Sequence, residues 1–175
     1  MANTKGYKYE LDTPCLTIDI EVLENNLANM QAAARAADKN LRPHAKTHRC
    51  SLLAKKQIEA GAIGVCAAKV SEAEVLADAG IEGILITGPV VTAQKIERLA
   101  AILKKDSTIM VVVDHPNNVR RLDETVRGRR LSLDVLLDID VGLRRTGVLP
   151  ESALELTGQI SKSGNLRLKG IQAYA

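Results

Sequence analysis

The chain has 175 residues, 46% of them apolar and 26% charged, with a formal net charge of +3. That length and balance fit one globular domain with a real hydrophobic core and exclude a disordered or fibrous chain. Lys and Arg are scattered, and no stretch approaches the ~20 apolar residues of a membrane span, so neither nucleic acid nor a membrane is an expected partner. Trp and Phe are absent and Tyr occurs only at Tyr7, Tyr9 and Tyr174. The core must therefore be built from Leu, Ile, Val and Ala, a palette that suits helices packed on buried parallel strands. Cys15, Cys50 and Cys66 show neither CxxC nor zinc-ribbon spacing, and residues 1–9 lack the apolar run of a signal peptide. Reduced thiols in a cytoplasmic protein are expected.

Taken in chain order, Asp19 can cap a helix that runs to about Asp38 with Leu23, Leu27 and Met30 on one face. Leu41 to Lys46 reads as a short strand. Ser51 can cap a helix over Leu52 to Ala60, ended by Gly61. Gly64 to Ala68 is strand-like, and Ser71-Glu72-Ala73-Glu74 has capping-box spacing for a helix closed by Gly80. The alternation continues with Gly83 to Thr87 (strand), Thr92 to Leu103 (helix), Ile109 to Val113 (strand) and Pro116 to Arg127 (helix). It ends with Leu133 to Ile139 (strand), Pro150 to Lys162 (helix) and Leu168 to Tyr174 (strand). Continuous apolar runs such as Ile109-Met110-Val111-Val112-Val113 indicate strands covered on both faces. Six strands separated by helices suit a (β/α) barrel or a doubly wound sheet, and closing a barrel takes eight. A chain that stops on a strand is expected to be a fragment. The basic run Arg127-Gly128-Arg129-Arg130 reads as a solvated turn between a helix and a strand.

The segment Arg42-Pro43-His44-Ala45-Lys46-Thr47-His48 carries the most chemistry. Lys46 ends the first strand, and catalytic groups of (β/α) barrels project from the carboxyl ends of strands. Arg42, His44, His48 and Arg49 around it would disfavour the ammonium form and favour a nucleophilic amine. Two alternatives compete: His44 and His48 binding a metal with Cys50, which Pro43 disfavours by breaking the helix their spacing needs, and a plain exposed polar loop. Glu72 and Glu74 are explained by capping and carry no catalytic role.

This segment resembles the cofactor-lysine motif of the D-threonine aldolase and D-serine dehydratase family, whose barrel is similar to that of alanine racemase. Three further stretches fall in that family's order. These are Glu10-Leu11-Asp12-Thr13-Pro14-Cys15-Leu16, Asp140-Val141-Gly142-Leu143-Arg144-Arg145-Thr146-Gly147-Val148, and Gly170-Ile171-Gln172-Ala173-Tyr174. The resemblance implies an α/β fold, a (β/α)8 TIM-type barrel of the pyridoxal 5′-phosphate (PLP) fold type III, with about six βα units in this chain. Residues 1–19 would supply a strand segment that pairs with a carboxyl-terminal β domain, and residues 20–175 a partial PLP-binding barrel.

By the same resemblance, Lys46 would form a Schiff base with PLP, Arg145 would reach the phenolic-oxygen side of the cofactor, and Tyr174 would stack on its ring. Arg145 is preferred to Arg144 because the motif sets its arginine directly before Thr-Gly. A structural ion pair with Asp138 or Asp140 is the competing reading of Arg145, and an ordinary buried aromatic that of Tyr174. The implied activity is a PLP-dependent lyase on β-hydroxy D-amino acids, either a retro-aldol cleavage to glycine and an aldehyde or a dehydration. A racemase on the same fold, a non-catalytic PLP-homeostasis protein and an inactive fragment are the alternatives. The resemblance also implies a homodimer for the complete protein, phosphate contacts from later strands, and a divalent metal whose ligands lie outside this chain.

Overall fold

The computed structural model describes residues 10–175. Helix and strand alternate: α1 (Ile20–Ala36), a one-turn 3-10 helix (Ala45–Thr47), α2 (Ser51–Glu59), β1 (Val65–Ala67), α3 (Val70–Asp78), β2 (Ile84–Ile86) and α4 (Ala93–Lys105). They continue with β3 (Met110–Val113), α5 (Pro116–Arg127), β4 (Leu133–Ile139), a second 3-10 turn (Pro150–Ser152), α6 (Ala153–Lys162) and β5 (Leu166–Ala173). All pairings are parallel, and the sheet order is β1-β2-β3-β4-β5. A doubly wound sheet needs a reversal of strand order. Here every strand follows its predecessor around the sheet, as in a barrel wall.

The sheet is also curled. Gln172 on β5 donates through Nε2 to the carbonyl of Thr87, just past β2, at 3.2 Å. Three strand spacings in a flat sheet would separate these residues by roughly 14 Å. Such a contact across the inner face requires barrel-like curvature.

Two apolar layers follow from the strand period of two. Leu133, Val135 and Leu137 of β4 face the helices, where they join Ile96, Leu99 and Leu103 of α4 and Val119, Leu122 and Val126 of α5. Those helical residues recur every three or four positions, so one stripe of each helix is buried. Each fully buried Leu or Ile contributes on the order of 2 kcal/mol. The opposite face carries a smaller cluster, in which Leu136 and Met110 pack on Cys66, Leu85 and Val112.

Several sequence expectations are corrected. The sheet has five strands, because Leu41 to Lys46 joins β1 through the single bridge His44–Cys66. Pro43 accepts from Cys66 N at 2.7 Å but has no N–H to return, and the chain turns into the 3-10 helix at Ala45. The segment thus occupies the place of a first strand without a ladder. Ser71 is not a cap: α3 starts at Val70, with Lys69 at its N-cap. Glu72 Oε2 accepts from Ala68 N at 2.8 Å, and Glu74 is paired with Arg98 instead. Ser51 is the first residue of α2 rather than its cap. Asp19 does cap α1, accepting from Val22 N at 3.1 Å. The inward stripe of α1 runs through Leu23, Leu27, Gln31 and Ala34, while Met30 is exposed. Residues 10–19 carry no strand, and the remainder of the expected 1–19 segment lies outside the described residues. Among the described residues no helix is long and apolar enough to cross a membrane.

Candidate active site

Lys46 sits in the 3-10 turn that follows the His44–Cys66 bridge, at the carboxyl end of the sheet, with its side chain exposed. His44 builds that turn. Its Nδ1 accepts from Lys46 N at 3.4 Å, and its carbonyl accepts from Thr47 Oγ1 at 3.0 Å. The turn closes with Arg49 N donating to Ala45 O at 2.8 Å, and Arg49 takes up φ of 47°. The other ring nitrogen of His44 lies 3.2 Å from Thr87 Oγ1. Since Nδ1 accepts, the ring proton belongs on Nε2, the nitrogen that faces Thr87. Burial, and next the charge of Lys46, hold the His44 imidazole below its ordinary range against the smaller opposing pull of Glu72 and the Cys66 backbone.

The expected crowd of positive groups around Lys46 does not form. Arg42 lies at the amino end of the sheet, where its guanidinium donates to the carbonyl of Gly83, and burial lowers its pKa. His48 is turned onto α2, its Nε2 3.3 Å from Gln57 Oε1 and its Nδ1 accepting from Cys50 N at 3.1 Å. Extended residues before Lys46 and a tight turn at it send these side chains in different directions. The same divergence separates His44 from His48 as metal ligands. Among the described residues no group of three His, Cys, Asp or Glu side chains is placed to hold a metal ion.

The segment from Asp140 to Val148 forms a closed loop. Val148 N donates to Asp138 O and Asp140 N to Val148 O, both at 2.9 Å, which pins the base. Asp140 Oδ1 accepts from the backbone N–H groups of Gly142 and Arg144 at 2.9 Å each, and these bonds hold its carboxyl below the usual carboxylate range. Gly147 crosses the base so closely that a Cβ there would stand 2.4 Å from Asp140 N. Only glycine fits. Arg144 takes the left-handed conformation, φ 56°, inside this turn. Arg145 follows it and lies with its guanidinium carbon 5.1 Å from the centroid of the Tyr174 ring, a cation–π contact. Among the described residues no ion pair joins Arg144 or Arg145 to Asp138 or Asp140. Tyr174 is 54% exposed.

Three further polar residues occupy the same end of the sheet. Gln172, two residues before Tyr174, donates to Asp138 Oδ1 at 2.9 Å as well as to Thr87 O. Asp138 is 1% exposed, and its Oδ2 has no partner. A signal for Asp138 exists in the sequence: in the apolar strand Leu133 to Ile139, the period of two puts Asp134, Leu136 and Asp138 together on one face. A cavity of about 890 Å³ is at the opposite end, against Arg42, Gly64, Thr108, Asp134 and Arg167. Arg167 already pairs with Asp134 there, at 2.5 Å, so that cavity offers little unused chemistry.

Known proteins place this arrangement in context. The chain is 38% identical over 167 residues to 3-hydroxy-D-aspartate aldolase of Paracoccus denitrificans, a match covering 94% of this chain and 43% of the aldolase. The crystal structure of D-threonine aldolase from Filomicrobium marinum superposes with a TM-score of 0.89 at 40% identity, covering 92% of this chain and 44% of that one. D-threo-3-hydroxyaspartate dehydratase from Delftia sp. HT23 gives a TM-score of 0.82 at 27% identity, covering 94% and 44%, and a variant of it has been solved in a metal-free form. The chain thus spans less than half the length of each. Residues 18–175 match the family model for the alanine racemase N-terminal domain, and with the parallel, sequentially ordered sheet this shows that the chain belongs to that family.

Proposed function

We propose that this chain carries the cofactor-attachment region of a PLP-dependent lyase acting on β-hydroxy D-amino acids. The observation that carries the reading is the convergence, at the carboxyl end of the sheet, of an exposed lysine on an ordered turn and an arginine stacked on a half-exposed tyrosine. Similarity to the two aldolases and the dehydratase supports it.

The donor set fits PLP. Lys46 supplies a primary amine for covalent attachment, Tyr174 a ring face for a flat heterocycle, and Arg145 a fixed cation for an anionic oxygen. Asp138 Oδ2, buried and unpartnered, adds an unused acceptor. When bound, PLP supplies the electron sink for cleavage at the substrate Cα. The residues of this chain hold and orient: the Asp140 turn fixes the backbone that presents Arg145, and the neutral His44 ring fixes the turn that presents Lys46. The described residues do not fit the divalent metal that the resemblance implies, so its ligands, like the phosphate contacts, are assigned outside this segment. The complete protein is read as a cytoplasmic homodimer.

Purified protein mixed with PLP should develop the absorbance of bound cofactor, and borohydride reduction with peptide mapping should then label Lys46. Label confined to another lysine would remove the reading. For the complete protein, D-threonine yielding acetaldehyde identifies the aldolase and D-serine yielding pyruvate the dehydratase. Racemised alanine with neither product would transfer the same site to a racemase.

A further inference from the structure

We propose that Thr87 is a positioning residue for Lys46, joining the turn that carries the lysine to the strand that carries Tyr174. Thr87 lies one residue past β2, and its N–H donates to Ala67 O at 2.9 Å, which continues the β1–β2 pairing. Its hydroxyl has one proton, and that proton goes to the same Ala67 carbonyl at 3.2 Å. Toward His44 the hydroxyl can therefore only accept. The ring must then present Nε2–H to Thr87, which leaves Nδ1 unprotonated to accept from Lys46 N. A threonine hydroxyl 43 positions away thus selects the histidine tautomer that caps the lysine turn.

The carbonyl of Thr87 completes the link. It accepts from Gln172 Nε2, whose second amide hydrogen goes to Asp138 Oδ1. Both partners are pure acceptors, so the amide has one allowed orientation. Because Asp138 is buried with its other oxygen unpartnered, loss of the Gln172 bond would leave the whole carboxylate unsatisfied, and this holds Gln172 in place. Tyr174 follows two residues later. These bonds span 43, 85 and 34 positions of sequence, so they set tertiary distances rather than local conformation. The charged groups that face His44 are Lys46 on its own turn and Glu72 on α3, and the Cys66 backbone meets the ring from β1.

The functional meaning of this link rests on Lys46 being the attachment lysine; the hydrogen-bond chain does not. It can be tested on the whole 175-residue chain without cofactor, by long-range 15N spectra of the His44 ring and by exchange of the Lys46 amide proton. The wild-type ring should carry its proton on Nε2 at pH 7. Thr87→Val, which removes only the hydroxyl, should mix the two tautomers and speed Lys46 amide exchange about tenfold, the loss expected for one ordinary hydrogen bond. Thr87→Ser should stay within about twofold of wild type, since it keeps that bond. A wild-type ring protonated on Nδ1 would overturn the proposal with no variant needed. So would Thr87→Val with unchanged tautomer and exchange, or Thr87→Ser behaving like Thr87→Val. Borohydride trapping with PLP then separates the two readings: slower capture in Thr87→Val, restored in Thr87→Ser, supports both. Absence of Lys46 label in the wild type removes the lyase reading and leaves the spectroscopic result standing.

Discussion

At the amino end of the sheet most polar groups satisfy one another, with Asp106 Oδ2 the buried exception, whereas at the carboxyl end a lysine, a tyrosine and a carboxylate oxygen are left available. Arg42 donates to Gly83 O, and Asp134 takes both Arg167 and Lys169, at 2.5 and 3.8 Å. Gly64 approaches Gly83 so closely that a Cβ would stand 2.1 Å from its carbonyl oxygen. At the other end Lys46 is exposed, Tyr174 is half exposed, and Asp138 keeps a buried oxygen without a partner. A cavity of about 890 Å³ opens at the amino end, so a cavity alone does not mark the chemistry. Unused hydrogen-bonding and nucleophilic capacity is the better guide to the site. Barrel enzymes keep stability at one end of the strands and chemistry at the other.

The sharpest way to break this contrast is a pair of substitutions, one at each end. Lys46→Ala should abolish covalent capture of PLP, measured as borohydride label, while shifting unfolding stability by no more than about 0.5 kcal/mol, as for other exposed side chains. Gly64→Ala should do the reverse. Its backbone φ of 146° and the contact with Gly83 forbid a side chain, and roughly 3 kcal/mol of stability should be lost in urea unfolding. Gly158→Ala is the control: nothing lies within 4 Å of its Cβ position in α6, so about 0.5–1 kcal/mol of helix stability should be gained. Equal losses of stability for Lys46→Ala and Gly64→Ala would erase the proposed division of labour.

A smaller effect is expected inside the site. Tyr174→Ala should weaken retention of PLP by about 1 kcal/mol, roughly fivefold, with Lys46 still labelled. Arg145→Ala should act in the same direction, because it removes both a cation and the contact with the ring. Arg144→Ala should differ. Its left-handed backbone and its N–H bond to Asp140 do not involve the side chain, so the substitution should shift stability by no more than about 0.5 kcal/mol and leave PLP retention close to that of the wild type. Dialysis of the cofactor complexes, followed by absorbance, would separate the three.

Legibility in the sequence followed the locality of the forces. The helix from Pro116 to Arg127 was legible, and its proline sits in the first turn, where its fixed φ and missing N–H cost nothing. The apolar strands were legible from composition, and the order of four motifs pointed to the barrel. Leu41 to Lys46 misled because its apolar and basic pattern does not reveal that Pro43 withholds a ladder N–H. Counting Arg42 and His48 with His44 around Lys46 misled for a related reason: neighbours in sequence were taken as neighbours in space. Thr87 was not singled out, since its bond to Gln172 depends on sheet curvature that no local pattern encodes.

The weakest effect tests the neutral state of His44 through pH. Its folded value lies below the ordinary ~6.5 of histidine, chiefly through burial and then through Lys46. Between that folded value and ~6.5 the unfolded chain binds a proton that the folded chain refuses, so stability must rise with pH across this window. The contribution is complete above ~6.5 and is lost as pH falls through the folded value. The physical event is specific: an imidazolium carries a proton on Nδ1 and can no longer accept from Lys46 N. His44→Gln offers an amide that can still donate to Thr87 without titrating. Urea unfolding of both proteins between pH 7.5 and 5 should therefore show a steeper fall for the wild type, and exchange of the Lys46 amide should accelerate over the same interval only in the wild type. Parallel stability curves for the two proteins would mean that His44 is not held neutral by the fold, and the cap on Lys46 would then have to survive protonation.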